Sequence, residues 1–343
     1  YDGTNWSAKP ALATARGEAG GTGTSTAALC FGNINKGTNT EEFNSSGSVI
    51  TAGAWASGGV IPVANQDGGG FGTQAAGMGA GGYNIPYNNI SVSYDGTNWT
   101  VTPTLNTART ARGSGTQAAG LAFAGNAPPA DALQTATESW NGSTWTAVNS
   151  MNTGRGGVFA VGLQGATLIT GGSAPPLRNV TELWDGTNWA TSPQTLNTGR
   201  SKGGSAGTYT AALIFNGGSP SLPPGYDGGN DTESWDGSSW TSGPNTLSVI
   251  GSSGGSGMQD DALTAGGSES PGSQPTSCGQ YNGTAWATAP SITTARSNVF
   301  SAGVGNPTAS SSMIFGGAPG YSTATEEFTG ETSAVNIETL TTS

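Results

Sequence analysis

The chain has no histidine, and only 9% of its 343 residues are charged. Ordinary domains carry roughly 25% charged residues. Without histidine the commonest general base and the commonest metal ligand are missing. With so little charge, Thr, Ser and Asn must make the surface, which is then nearly indifferent to ionic strength. Ten basic residues stand against 21 acidic ones, for a net charge of −11, and they form no basic stripe. That argues against a surface tracking nucleic-acid phosphates or an anionic membrane. The two cysteines, Cys30 and Cys278, lack the spacing of a metal or redox pair. Free buried thiols are expected, with a disulfide as the alternative. There is no apolar run long enough to span a bilayer and no visible signal peptide. Tyr1 falls inside a repeat, so the native start is expected upstream.

What the chain does have is glycine, 59 residues of it, and one recurring pattern. Tyr94-Asp95-Gly96-Thr97-Asn98-Trp99 returns at Tyr1–Trp6, Trp140–Trp145, Trp184–Trp189, Trp235–Trp240 and Tyr281–Trp286, with eroded copies at Phe43 and Phe328. Asp-Gly and Asn-Gly supply the positive φ of a tight turn, and the flanking aromatics suit a half-buried strand. Each copy therefore reads as a β-hairpin tip. The spacings from Trp99 to Trp145, Trp189, Trp240 and Trp286 are 46, 44, 51 and 46 residues. A period of about 40–50 residues suits a four-stranded propeller blade.

A second half completes each repeat. Thr107-Ala108-Arg109 leads through Gly115-Thr116-Gln117 to an apolar strand ending near Asn126. Thr14-Ala15-Arg16, Thr153-Gly154-Arg155, Thr198-Gly199-Arg200 and Thr294-Ala295-Arg296 open equivalent halves. Gly81-Gly82 and Gly266-Gly267 end two halves that lack the arginine, which makes seven in all. An apolar strand ending in Gly-Gly, a variable loop, then Thr-Glu-x-aromatic, a turn and Trp resembles the kelch repeat over nearly the whole chain. Asn33 and Asn126 depart from it by replacing the second glycine. Together with the Asp-Gly-Thr-Asn-Trp and Gly-Thr-Gln turns, the array resembles glycine-rich kelch-like virion proteins of tailed phages, marine cyanophages especially. The resemblance implies a phage structural or host-contact role.

The expected fold is thus all-β: one seven-bladed, kelch-like β-propeller of four-stranded antiparallel blades over residues 1–343. Residues 1–13 are read as the remnant of an upstream repeat or as a closing strand, and 325–340 is expected to complete the last blade. Strands a to d would run outward from the axis, with b–c and d–a loops on one face. The b–c loops vary most in length, and function gathers on such loops.

Nine of the ten tryptophans occupy the repeat positions and read as packing between blades; Trp55 falls outside the pattern. The repeated Arg16, Arg109, Arg155, Arg200 and Arg296 face a repeated Glu41, Glu138, Glu182, Glu233 and Glu326, which suggests repeated ion pairs rather than an arginine-lined catalytic centre. The turn lacks the residue between Asp and Gly that a sialidase Asp-box has, and a copper oxidase would need histidines. Asp227, Asp231, Asp260 and Asp261 lack the alternation of a calcium loop and read as solvated turns. The recognition candidates are loop residues: Tyr83, Tyr87, Arg178, Leu222, Tyr226 and Tyr321. The functional expectation is a non-enzymatic structural or adhesion module of a phage virion, such as a tail or fibre protein. It would use no cofactor and would contact other virion proteins or host cell-surface glycan. The alternative is a secreted or cell-surface bacterial carbohydrate-binding propeller.

Overall fold

The computed structural model describes residues 20–24, 27–31, 40–44, 47–173, 179–218, 228–269, 272–302 and 309–336. The expectation of one domain meets two compact units: Gly53–Gly330, and Tyr1–Ala52 with Glu331–Ser343.

Gly53–Gly330 is a closed ring of six four-stranded antiparallel blades. Within each blade the strands run from the innermost, a, to the outermost, d. Blade 1 is Gly69–Thr73, Ala76–Tyr83, Tyr87–Tyr94 and Trp99–Thr102. Blade 2 is Arg112–Thr116, Ala119–Phe123, Thr137–Trp140 and Trp145–Val148. Blade 3 is Phe159–Leu163, Ala166–Thr170, Val180–Trp184 and Trp189–Thr195. Blade 4 is Gly204–Gly207, Ala212–Phe215, Thr232–Trp235 and Trp240–Ser242. Blade 5 is Gly254–Gly257, Ala262–Ala265, Cys278–Tyr281 and Trp286–Ala289. Blade 6 takes Phe300–Ala302, Ser311–Phe315 and Thr325–Thr329 from late in the chain and Ala54–Ser57 from near its start. The six a strands touch their neighbours in unbroken order around the axis. Glycine makes that approach possible: a Cβ on Gly70 would lie 2.4 Å from the Ser301 carbonyl oxygen, and one on Gly255 would lie 2.4 Å from Ser205 N.

Six blades correct the expected seven. The seventh inner half, after Arg16, contributes Gly20–Gly23 and Ala27–Phe31, which with Thr40–Asn44 make a three-stranded sheet in the other unit. The end of the last blade is corrected too. Thr325–Thr329 is its strand c, but strand d is Ala54–Ser57, with Phe328 opposite Trp55. Thr332–Asn336 pairs instead with Gly47–Thr51. Trp55 is therefore no outlier. Phe328 and Trp55 are the aromatic pair of one hairpin cut open, their rings 5.2 Å apart. Blade 6 closes by pairing two ends of the unit, and the closed ring leaves only the short outer edges of the d strands unpaired.

The regular tryptophans hold blade to blade. The indole N–H at the start of strand d donates to the residue three before the strand-c aromatic in the preceding blade: Trp189 to Thr137 Oγ1, Trp240 to Thr181 Oγ1, Trp286 to Thr232 Oγ1 and Trp99 to Thr325 Oγ1, at 2.9–3.1 Å. Trp145 reaches Ser91 Oγ at 3.3 Å. Where Cys278 replaces the threonine, Trp55 donates to the Pro290 carbonyl instead, at 2.9 Å. The rings pack against phenylalanines of the preceding blade, as in Trp189 on Phe123 and Trp286 on Phe215.

Four of the five repeat arginines are buried and paired as expected; Arg16 lies outside the described residues. Arg109–Glu138, Arg155–Glu182, Arg200–Glu233 and Arg296–Glu326 lie at 2.5, 2.6, 3.0 and 2.5 Å, each glutamate on strand c of the blade the arginine introduces. The second carboxylate oxygen accepts a backbone N–H from the d–a loop: Asn106, Asn152, Asn197 or Thr293. Burial lowers the Arg200 and Arg296 pKa, and the glutamates oppose that shift. Blade 5 has Ile250 and Gly279 at the two positions, and blade 1 has Asn65 and Val92. Where one charge is lost its partner is lost too, which is what the cost of an orphaned buried charge demands. In blade 5, where the pair is missing, a cavity of about 80 Å³ lies beside Ile250, Cys278 and Gly279.

Candidate functional site

Antiparallel order puts the a–b and c–d turns on one face of the ring and the b–c and d–a loops on the other. The first face is spent on its own structure. Asp95 Oδ1 accepts the N–H groups of Thr97 and Asn98 at 2.9 and 2.7 Å, and Asp185, Asp236, Asn141 and Asn282 repeat the device. These bonds to the ionised form lower the Asp95 and Asp185 pKa, and at Asp236 hydroxyl and amide donors bring it to about 2. The Gly-x-Gln turns between strands a and b stitch neighbouring blades. Gln117, Gln164 and Gln259 each donate Nε2 at 2.6 Å to the carbonyl of the strand-c aromatic in the preceding blade, and Gln74 does so to Phe328 at 3.3 Å.

The opposite face carries the aromatics. Tyr83 and Tyr87 bracket the b–c loop of blade 1, and Tyr321 lies in that of blade 6. The ring brings these loops together. Tyr83 meets Tyr87 edge-on at 5.0 Å and Tyr321 at 6.1 Å. The Tyr87 hydroxyl donates to Asp131, from the b–c loop of blade 2. Burial, and then that hydrogen bond, raise the Tyr87 pKa. Three neighbouring blades thus build one patch. Beside it Ile85 is 70% exposed. Below it Asn84 donates to the Ala64 carbonyl at 2.7 Å, and Asn65 and Asn88 exchange hydrogen bonds. Tyr321, Asp131, Ala130 and Ile85 all have positive φ, a conformation that costs non-glycine residues about 1–3 kcal/mol each and gathers at functional sites.

Of the sequence candidates, the structure joins Tyr83, Tyr87 and Tyr321. Arg178, Leu222 and Tyr226 lie outside the described residues. The reading along the chain missed Asp131, because only the fold brings its loop to Tyr87. Among the described residues no three His, Cys, Asp or Glu side chains gather as a metal site, and no helix is long and apolar enough to cross a membrane.

No protein-family model matches the chain, and no curated protein matches it. Solved structures do. One, described as "Structure of YjhT", has a TM-score of 0.62 over 80% of this chain and 99% of that chain, at 14% sequence identity. That likeness is one of fold: a β-propeller. It carries no support for a kelch family or for a phage virion.

Proposed function

We propose that this chain is a non-enzymatic recognition module whose b–c face binds carbohydrate on a cell surface, in the setting of a phage virion. The observation that carries the reading is the tyrosine patch. Three rings from two blades meet, and a hydroxyl is fixed by a carboxylate from a third. Tyrosine combines a flat apolar face for a sugar ring with a hydroxyl for its polar edge, and it loses little entropy on binding. A neutral polar surface around it favours a neutral glycan over a highly charged one. The virion setting rests on the repeat resemblance alone, and a secreted bacterial propeller would use the same patch.

Calorimetric titration with neutral oligosaccharides released from candidate host surfaces tests the site. Tyr83→Ala and Tyr321→Ala are expected to weaken binding about tenfold or more, and a Thr97→Gly, Asn98→Gly variant on the other face is expected to leave it unchanged. Binding that survives both tyrosine changes, or that fails with the turn variant, overturns the assignment. Antibody labelling of purified particles against culture supernatant separates virion from secreted protein.

A further inference from the structure

The described residues hold six lysines and arginines. Four are consumed in the buried glutamate pairs. The other two, Arg112 and Lys202, line the same cavity of about 50 Å³ on the propeller axis, where the d–a loops feed the a strands. In a chain of net charge −11, this convergence calls for a cause.

The rim of that cavity is a ring of backbone hydrogen bonds. Lys202 N donates to the Gly157 carbonyl at 2.9 Å, Ser252 N to Lys202, Asn298 N to Ser252 at 2.9 Å, and Asp67 N to Asn298 at 2.9 Å. All five of these residues have φ between 51° and 59°. Gly, Asn and Asp tolerate that conformation; Lys202 and Ser252 adopt it at a cost. Blade 2 breaks the ring, because it has one residue fewer between its arginine and strand a than blade 3 has. There the Arg112 side chain spans the gap and donates to Asp67 Oδ1 at 2.9 Å. Asp67 is thereby neutralised, and among the described residues Lys202 has no carboxylate partner. The side chains of Ser252, Asn298 and Ser301, which also line the cavity, have no hydrogen-bond partner among the described residues either. One ammonium, one amide and two hydroxyls are left facing a polar cavity with no counter-charge.

We propose that this axial mouth binds a small oxyanion group, a carboxylate or a phosphate. Lys202 supplies the charge, Asn298, Ser252 and Ser301 supply neutral donors, and Arg112 is held in place by Asp67. A water needs about 10–15 Å³ of such space, so the cavity takes a few waters or one anionic head group and excludes a whole sugar ring. The site is independent of the tyrosine patch.

The test is titration of the full chain, at low ionic strength, with inorganic phosphate and separately with acetate. Saturable binding of at least one is expected, weakening as salt rises, and the tighter of the two tells a phosphate ligand from a carboxylate. Lys202→Asn removes the charge and puts at that position a residue that already serves at 298 in the same conformation. It is expected to fold and to bind about 10- to 100-fold more weakly, as for the loss of a hydrogen bond to a charged group. Asn298→Gly, which suits the same φ, is a second arm with a smaller expected loss. Failure of both anions to bind the unaltered chain, or unchanged affinity in either variant, overturns the proposal.

Discussion

Replacing Arg200 by methionine keeps most of the side-chain volume and removes the guanidinium. Glu233 is then left 3% exposed, with the Asn197 N–H at 2.9 Å and no counter-charge. The Asp231 carbonyl, which Arg200 Nη1 reaches at 2.7 Å, loses a donor as well. Breaking a buried pair by removing one partner costs about 3–5 kcal/mol. For a unit of this size 1 kcal/mol shifts Tm by about 2–3 °C, so Arg200→Met is expected to melt about 6–15 °C lower. Urea unfolding followed by tryptophan fluorescence gives the free energy. The decisive comparison is Arg200→Met combined with Glu233→Gln, which removes the orphaned charge. It is expected to recover roughly half the loss, since most of the penalty belongs to the unpaired ion. A loss under about 1 kcal/mol in the single variant, or equal losses in single and double, would refute the reasoning.

Blade 5 offers the converse experiment. Ile250→Arg and Gly279→Glu should each destabilise alone, while the pair together should be milder than the sum by about 1–3 kcal/mol, read from a double-mutant cycle in urea. Trp55→Ala should cost less than the about 3–5 kcal/mol of a fully buried tryptophan. Its effect should be local, with faster amide hydrogen exchange confined to residues 311–315 and 325–329. The Cys278 thiol, pushed up to about 11 by burial, should resist iodoacetamide at pH 8 in the folded chain and react once the chain is unfolded. The lowered carboxylates of Asp95, Asp185 and Asp236 stabilise the fold fully above the ordinary aspartate range near pH 4. That contribution is lost as pH falls toward 2, so Asp236→Asn should flatten the acid limb of a stability–pH curve.

Much of this architecture could be read along the chain because each blade is a local object. Asp-Gly turns, Trp spacing and the Arg…Glu order all lie within one repeat, and the structure returns them as four-stranded blades with buried pairs. The blade count could not be read that way. Thr40-Glu41-Glu42-Phe43 and Thr325-Glu326-Glu327-Phe328 look alike in sequence, and only ring closure decides which of them Trp55 serves. The patch was half legible for the same reason. Tyr83 and Tyr87 share a loop, but Tyr321 and Asp131 reach them only across blade boundaries. The axial cations were hidden because Lys202 and Arg112 lie 90 positions apart and meet through the symmetry of the ring.

The split hairpin of blade 6 sets a contest that the chain must win each time it folds. Ala54–Ser57 is made about ten residues after Thr40–Asn44, and about 270 residues before Thr325–Thr329. The entropic cost of joining the distant strand rather than the near one is about 3 kcal/mol. Until Thr329 has been synthesised, the only Thr-Glu-Glu-Phe strand on offer is the near one. That near pairing is open to the unfinished chain, whereas in the finished ring Trp55 meets both Phe328 and the Pro290 carbonyl.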